Sequence, residues 1–263
     1  MAIIRKSTAE IEQMERAARV VAETLQLVGE NVRQGVTTQE LDELAEEFIL
    51  SRGGVPTFKG YRGYPASICT SPNAMVVHGI PGPYELANGD VLSVDVGVTL
   101  GGFVGDSAYT FPVGETSEDA QRLLEACQEA LAAGIEQARP GNHLSDIGHA
   151  VQKATEDAGF SVVRSLVGHG VGRQMHEDPQ IPNFGEPGRG PILQPGMTLA
   201  IEPMINAGGP GVYLHDDDWS ISTDDGSLSA HFEHTVAVTE NEPKILTQRL
   251  QPSGLAGNVS HAS

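Results

Sequence analysis

Four segments of the chain carry apolar residues at the spacing of an amphipathic helix. The first follows Ser7-Thr8-Ala9-Glu10, a capping-box pattern in which the serine and the glutamate satisfy free amides at a helix start. The predicted helices cover about residues 8–34, 37–52, 116–139 and 145–157, and glycine or Pro-Gly follows each of them. The remaining segments contain short apolar runs among Gly, Pro and Ser, which predict strands and loops.

Between the second and third helices, residues 89–106 alternate like a half-buried strand, with Val94 and Val96 on one face and Asp95 on the other. Gly101-Gly102 marks a turn, and a second run follows. With the loop centred near Leu100-Gly101, Asp95 is predicted to lie directly opposite Asp106 on one face. Like charges so placed destabilise a sheet unless a proton or a cation neutralises them. The hairpin therefore predicts either a divalent metal site or two solvent-facing aspartates.

The two halves of the chain, about residues 8–115 and 116–247, resemble each other. The strand that leads to Asp95 aligns with the strand that leads to Glu202, and Asp106 can be aligned with Glu233. A twofold relation between the halves would bring four carboxylates to one centre. The alternative is four separate surface acids.

Composition limits the possible functions. A formal net charge of −19 disfavours binding of a nucleic-acid backbone as the main task. The two cysteines favour a reducing compartment, no apolar run approaches the length of a membrane span, and the start is too short for a signal peptide. We therefore expect a cytoplasmic protein with no membrane and no direct nucleic-acid partner. Residues 1–7 are interpreted as a lead-in, and residues 248–263 as a disordered tail.

Histidines add nitrogen donors to the four candidate carboxylate ligands. His169 lies among glycines that allow a close backbone approach, so its imidazole can complete an oxygen-rich site for two divalent ions, or it is an ordinary loop histidine. His78 and His176 have the same two interpretations. The chain lacks the HExxH, P-loop and GxSxG motifs, which disfavours zincins, P-loop NTPases and serine hydrolases of that type.

Taken in order, these motifs resemble the type I methionine aminopeptidases. The similar segments are residues 76–81, Asp95, Gly105-Asp106, residues 168–173, 176–179, 201–203 and 232–235. The resemblance extends over residues 8–247. It implies one catalytic domain with an α/β pita-bread fold, in which a pseudo-twofold antiparallel sheet is covered by helices.

The resemblance also implies roles for individual residues. Two divalent ions (Co, Mn, Fe or Zn) would be bound by Asp95, Asp106, His169, Glu202 and Glu233, with Asp106 and Glu233 bridging. His78 and His176 would face the substrate, and Glu202 would also pass a proton from water to the leaving amine. The methionine pocket would be lined or bordered by Phe58, Tyr61, Tyr64, Cys69, Met175 and Trp219.

The activity implied by the resemblance is removal of the amino-terminal methionine from nascent polypeptides, ahead of a small second residue. A monomer is expected, and the co-translational task implies a ribosome contact. Phe58, Met175 and His231 depart from what many relatives carry, which affects the expected pocket shape. Two alternatives are a prolidase or proline-specific aminopeptidase of the same fold, which usually carries a preceding domain, and a non-catalytic pita-bread binding protein.

Overall fold

The computed structural model describes residues 3–249, and residues 250–263 of the predicted tail lie outside them. The helices of this part are α1 Thr8–Asn31, α2 Thr38–Ser51, α3 Glu118–Glu136 and α4 Leu144–Asp157. The strands are β1 Val55–Pro56, β2 Cys69–Pro72, β3 Met75–Val77, β4 Val91–Leu100, β5 Phe103–Pro112, β6 Ser161–Val162, β7 Val167–Gly170, β8 Glu177–Pro182, β9 Thr198–Ile201, β10 Met204–Asn206, β11 Val212–Leu214, β12 Ile221–Thr223, β13 Ser229–His231, β14 His234–Ala237 and β15 Lys244–Ile245. All four predicted helices are confirmed, each within a few residues of its expected ends.

Side-chain caps define the starts of the first two helices. The Glu10 carboxylate accepts from the Ser7 backbone N–H at 3.0 Å, and the Ser7 hydroxyl accepts from the Glu10 N–H at 3.3 Å. Thr37 and Glu40 form the same reciprocal pair at the start of α2. These bonds satisfy amides that have no partner within the helix, so the local sequence alone determines where α1 and α2 begin. Within residues 3–249, no helix combines the length and the apolarity needed to cross a membrane.

The strands of the described residues form antiparallel sheets, and two of these sheets carry the predicted ligands. One has the order β1-β4-β2, with β5 paired to β4. The other has the order β15-β14-β9-β7-β8. Helices α1 and α2 pack with the apolar face of β4, and α3 and α4 pack with β9 and β14. Each half of the chain therefore places a helix pair over a strand pair.

The predicted register of the β4–β5 hairpin is wrong by two residues. Leu100 pairs with Phe103, so Asp95 lies opposite Ala108 and Asp106 lies opposite Gly97. The physical reason is the turn: Gly101 and Gly102 both have positive φ, of 60° and 81°, and together form the two-residue loop that fits the twist of a hairpin. The two aspartates still share one face, but as diagonal neighbours rather than as a directly opposed pair.

Candidate active site

Four carboxylates converge where the two sheets meet. Asp95 lies on β4 and Asp106 lies on β5. In the other sheet His234 pairs with Ile201, which places Glu202 and Glu233 beside each other, just beyond the paired ends of β9 and β14. A hydroxyl joins the sheets, because the Thr235 side chain donates to the Asp106 carbonyl at 2.7 Å and accepts from the Asp106 N–H at 3.2 Å.

The imidazole of His169 completes this cluster. Strand β7 pairs with β9, and His169 lies opposite Ala200. Its Nε2 atom lies 3.6 Å from Oδ2 of Asp106 and 3.4 Å from Oε1 of Glu202. One donor atom each from Asp106, His169 and Glu233 lie within 4.8 Å of one another. Asp95 is the diagonal neighbour of Asp106 on the same face of the β4–β5 hairpin. The structure thus brings all five predicted ligands together.

Burying four carboxylates without a counter-charge raises the free energy of their ionised forms. Burial accordingly raises the pKa of Asp95 to about 7. Burial and the charge of Asp95 also raise the pKa values of Asp106 and Glu202 well above their usual range, and burial with Asp106 does the same for Glu233. Burial lowers the pKa of His169 to about 3, which keeps the imidazole neutral and able to bind a metal.

The donor set fits divalent cations. One carboxylate oxygen each of Asp95, Asp106 and Glu233 is buried and has no hydrogen-bond partner among residues 3–249. Within the same residues, no lysine or arginine forms an ion pair with these carboxylates. Buried charges are normally paired or bind metal, and four carboxylates with one neutral imidazole are a suitable oxygen-rich ligand set.

The same cluster forms one wall of a cavity of ≈ 190 Å³. All thirteen residues predicted for the site line this cavity, including the six pocket residues, which are Phe58, Tyr61, Tyr64, Cys69, Met175 and Trp219. The Phe58 ring packs where a side chain on Gly97 would lie, at 2.5 Å from the missing Cβ, so this glycine admits the ring beside Asp95. Cys69 pairs with Asp95 across β2 and β4. Burial raises the pKa of its thiol, which excludes a reactive thiolate there.

Two histidines border the cavity from different loops. The His176 ring stacks on Tyr61 with centroids 5.5 Å apart, and Nδ1 of His176 lies 2.9 Å from the Tyr61 hydroxyl. Its centroid is 4.3 Å from that of His169. Burial and the charge of Arg62 lower the pKa of His176. His78 has a φ of 59°, and burial lowers its pKa to about 4. A non-glycine residue in this backbone region is strained, as at many functional sites.

Sequence reasoning missed five cavity residues: Arg62, Val77, Leu166, Val167 and Met204. Val77 precedes His78, Arg62 follows Tyr61, and Val167 and Met204 directly flank the 168–173 and 201–203 segments, so adjacency to the motifs was a usable signal. Leu166 lies outside these segments, and only the tertiary structure places it here.

Comparison with known proteins agrees with this geometry. The sequence profile of metallopeptidase family M24 matches residues 12–240 of this chain. The chain is 54% identical over 245 residues to a methionine aminopeptidase of Clostridium perfringens, covering 93% of this chain and 98% of the relative. It is 50% identical over 246 residues to methionine aminopeptidase 1 of Bacillus subtilis, covering 94% and 99%.

Solved structures show the same relationship. The crystal structure of methionine aminopeptidase from Thermotoga maritima has a TM-score of 0.93 and 44% identity, covering 94% of this chain and 100% of that one. A prolidase from Pyrococcus horikoshii has a TM-score of 0.76 at 21% identity, a likeness of fold alone, and this chain covers 64% of it.

The fold and the site together define a pita-bread metallohydrolase, which confirms the predicted α/β class. Within that class, the chain belongs to metallopeptidase family M24, among the methionine aminopeptidases.

Proposed function

We propose that this protein is a metal-dependent aminopeptidase that removes an amino-terminal methionine ahead of a small second residue. The observation that carries the proposal is a shared cavity: the carboxylate and imidazole cluster and the apolar, sulfur-containing pocket line the same ≈ 190 Å³ space. A substrate whose methionine side chain enters the pocket has its first peptide bond beside the carboxylates.

Asp95, Asp106, His169, Glu202 and Glu233 would hold two divalent ions of Co, Mn, Fe or Zn. Bound there, such ions would supply Lewis-acid chemistry, polarising a carbonyl and lowering the pKa of water. The unpartnered oxygens of Asp95, Asp106 and Glu233 support this assignment.

Glu202 would move the proton. Burial raises the pKa of Glu202, and one of its oxygens lies 3.4 Å from His169 Nε2. With metal bound, a carboxylate in this position can accept a proton from water, and its protonated form can then donate to the leaving amine.

His176 and His78 would donate hydrogen bonds to the substrate. At neutral pH both rings are neutral because burial lowers both pKa values, so each carries one N–H. When the Tyr61 hydroxyl donates to Nδ1 of His176, the proton of the ring is on Nε2, and Tyr61 also fixes the ring orientation. A preorganised neutral donor stabilises the charge that develops on the scissile carbonyl oxygen.

The pocket would select a thioether. Tyr64 packs edge-on against Phe58 and Trp219, with centroids 6.5 Å and 5.0 Å apart. Its hydroxyl donates to the Gly79 carbonyl at 2.9 Å, so no free polar group of Tyr64 is left in the pocket. Aromatic rings and the sulfur atoms of Cys69 and Met175 give a polarizable apolar lining, which favours methionine over charged or strongly polar side chains.

The test compares peptides and metal states. Metal-loaded protein is expected to release methionine from Met-Ala-Ser, and chelator should abolish the release, with restoration on adding back Mn²⁺ or Co²⁺. Cleavage confined to Xaa-Pro peptides would contradict the proposal in favour of a prolidase. No cleavage of any peptide, despite bound metal, would indicate a non-catalytic binding protein.

In the cell we propose that the substrates are nascent polypeptides in the cytoplasm, reached by a monomer at or near the ribosome. The support is the identity of 54% to a relative named methionine aminopeptidase. Metal analysis of protein purified without added ions, with activity measured per bound metal, would test the cofactor assignment. Ribosome co-sedimentation and light scattering would test the partner and the monomer.

A further inference from the structure

A second cavity, which we call the outer groove, adjoins the methionine pocket. It has a volume of ≈ 610 Å³ and shares Arg62, Val167, His169 and His176 with the pocket wall. In the proposed reaction only the first residue of the substrate enters the pocket, so the following residues must extend outward. The outer groove is continuous with the site and offers them a route.

Three cations line the outer groove, and two of them are paired within the protein. Lys6 contacts Glu177 at 2.5 Å and is buried. Arg173 lies 3.3 Å from Glu10 and stacks over the Phe103 ring at 4.3 Å. These two cations are therefore largely neutralised by their own carboxylates.

Arg62 differs from both. Among residues 3–249 no carboxylate lies within ion-pair distance of its guanidinium and no hydrogen bond is formed by its side chain. The group is exposed and lies over the Tyr61 ring, 5.4 Å from its centroid. It therefore presents an available positive charge at the junction of the pocket and the groove.

The backbone holds Arg62 at a conformational cost. Its φ and ψ are 48° and 25°, in the left-handed region, within the short turn Tyr61–Gly63. This turn also contributes Tyr61 to the pocket. Because the turn is part of the pocket wall, the backbone at Arg62 is held beside the site, and the guanidinium extends from there.

We propose that Arg62 makes the enzyme select substrates with Asp or Glu at the third residue over substrates with Lys or Arg there. The inference rests on the proposed aminopeptidase function and adds a specificity determinant to it. An ion pair at an exposed site gives at most a few-fold gain, and a like charge gives a similar loss. We therefore expect kcat/KM to differ about 3- to 20-fold between Glu and Lys peptides.

The contact would act mainly on KM. It lies away from the bond that is cut, and it is made equally in the bound ground state and in the transition state, which changes binding without changing the chemical step. A role for Arg62 in merely shaping the pocket would instead lower kcat for all peptides alike. The charge preference should also shrink as salt is raised, because the group is exposed.

The experiment measures kcat and KM for Met-Ala-Xaa-Ser peptides with Xaa as Glu, Gln or Lys, at low and high salt. The wild type should prefer Glu over Lys through KM, Arg62→Lys should keep the preference, and Arg62→Gln should reduce the ratio toward one. Arg173→Gln is the matched control, because it removes a paired arginine from the same groove and should change the ratio less.

The outcomes separate the two proposals. Release of methionine from all three peptides with a Glu/Lys ratio below twofold, or an unchanged ratio in Arg62→Gln, would overturn the role of Arg62 and leave the aminopeptidase function standing. Failure of the metal-loaded wild type to cleave any of the peptides would overturn both.

Discussion

The buried ion pair between Lys6 and Glu177 connects the start of the chain to the loop that carries Met175 and His176. The Lys6 Nζ atom lies 2.5 Å from Oε2 of Glu177, and their side chains are only 3% and 5% exposed. The other Glu177 oxygen accepts from the backbone N–H groups of Arg173 at 2.8 Å and Gln174 at 3.2 Å. One carboxylate thus organises the loop, and a lysine 171 residues earlier in the chain neutralises it.

We predict that Lys6→Met lowers both stability and activity. Removing one partner of a buried ion pair costs about 3–5 kcal/mol, because the other charge stays buried and unpaired. Glu177 keeps its two backbone donors, which places the expected loss near the lower end, about 3 kcal/mol. At about 2–4 °C per kcal/mol for a domain near this size, the Tm should fall by about 6–12 °C. Displacement of the loop should also lower kcat on Met-Ala-Ser, measured at equal metal content.

Lys153 provides a matched control. It forms a pair of the same chemistry with Asp157, also at 2.5 Å, but its side chains are 65% and 66% exposed. Lys153→Met should therefore change stability by less than about 1 kcal/mol. In the double variant Lys6→Met with Glu177→Gln, the loss should be smaller than the sum of the single losses. A Tm shift for Lys6→Met as small as that for Lys153→Met, or strictly additive losses, would refute the reasoning.

Three further predictions concern the cluster. His176→Ala should lower kcat by about 10²- to 10³-fold, as for loss of one preorganised donor, while metal content stays near wild type; loss of metal would show that His176 acts in metal binding instead. Asp106→Asn should abolish both metal binding and turnover, measured by metal analysis and Met-Ala-Ser cleavage, and retained activity would contradict its bridging role. For chelated protein, stability should fall as the pH rises above about 6.5. Burial raises the pKa of Asp95 to about 7 and those of Asp106 and Glu233 well above their usual range, so the folded state holds protons that the unfolded chain has released above about pH 4.5. Between about pH 4.5 and 6.5 the histidines oppose this effect, because burial lowers the pKa of His169 and His231 to about 3 and the unfolded chain binds protons there that the folded state does not. Without metal, Tm measured from pH 4 to 9 should therefore change less below about pH 6.5 than above it, and with Mn²⁺ the alkaline fall should be much weaker; an unchanged alkaline fall with bound metal would contradict the metal assignment.

Much of the fold was predictable because its signals are local. Helices α1 and α2 begin at reciprocal caps formed by residues three apart, and alternation along β4 was enough to assign its apolar face to the core. The candidate ligands were also predictable. They are acidic residues on otherwise apolar strands, and their order along the chain resembles that of the motifs of type I methionine aminopeptidases.

The hairpin register shows where local reasoning failed. A loop centred one residue earlier places Asp95 opposite Asp106, and only the geometry of two consecutive positive-φ glycines selects Gly101-Gly102 instead. The glycine pair was visible in the sequence, so this error came from the choice of turn and not from missing information.

By itself, therefore, the sequence determined the helices with their caps, the faces of the strands and the identity of the acidic and imidazole donors, because these depend on residues close together along the chain. Only the tertiary structure decided what those donors face. The Tyr61 hydroxyl on His176 and the Lys6 counter-charge for Glu177 join residues that are distant in sequence, and the two cavities that meet at Arg62 are each lined by several elements. Such contacts follow from how the sheets and helices of the described residues pack, which no local pattern encodes.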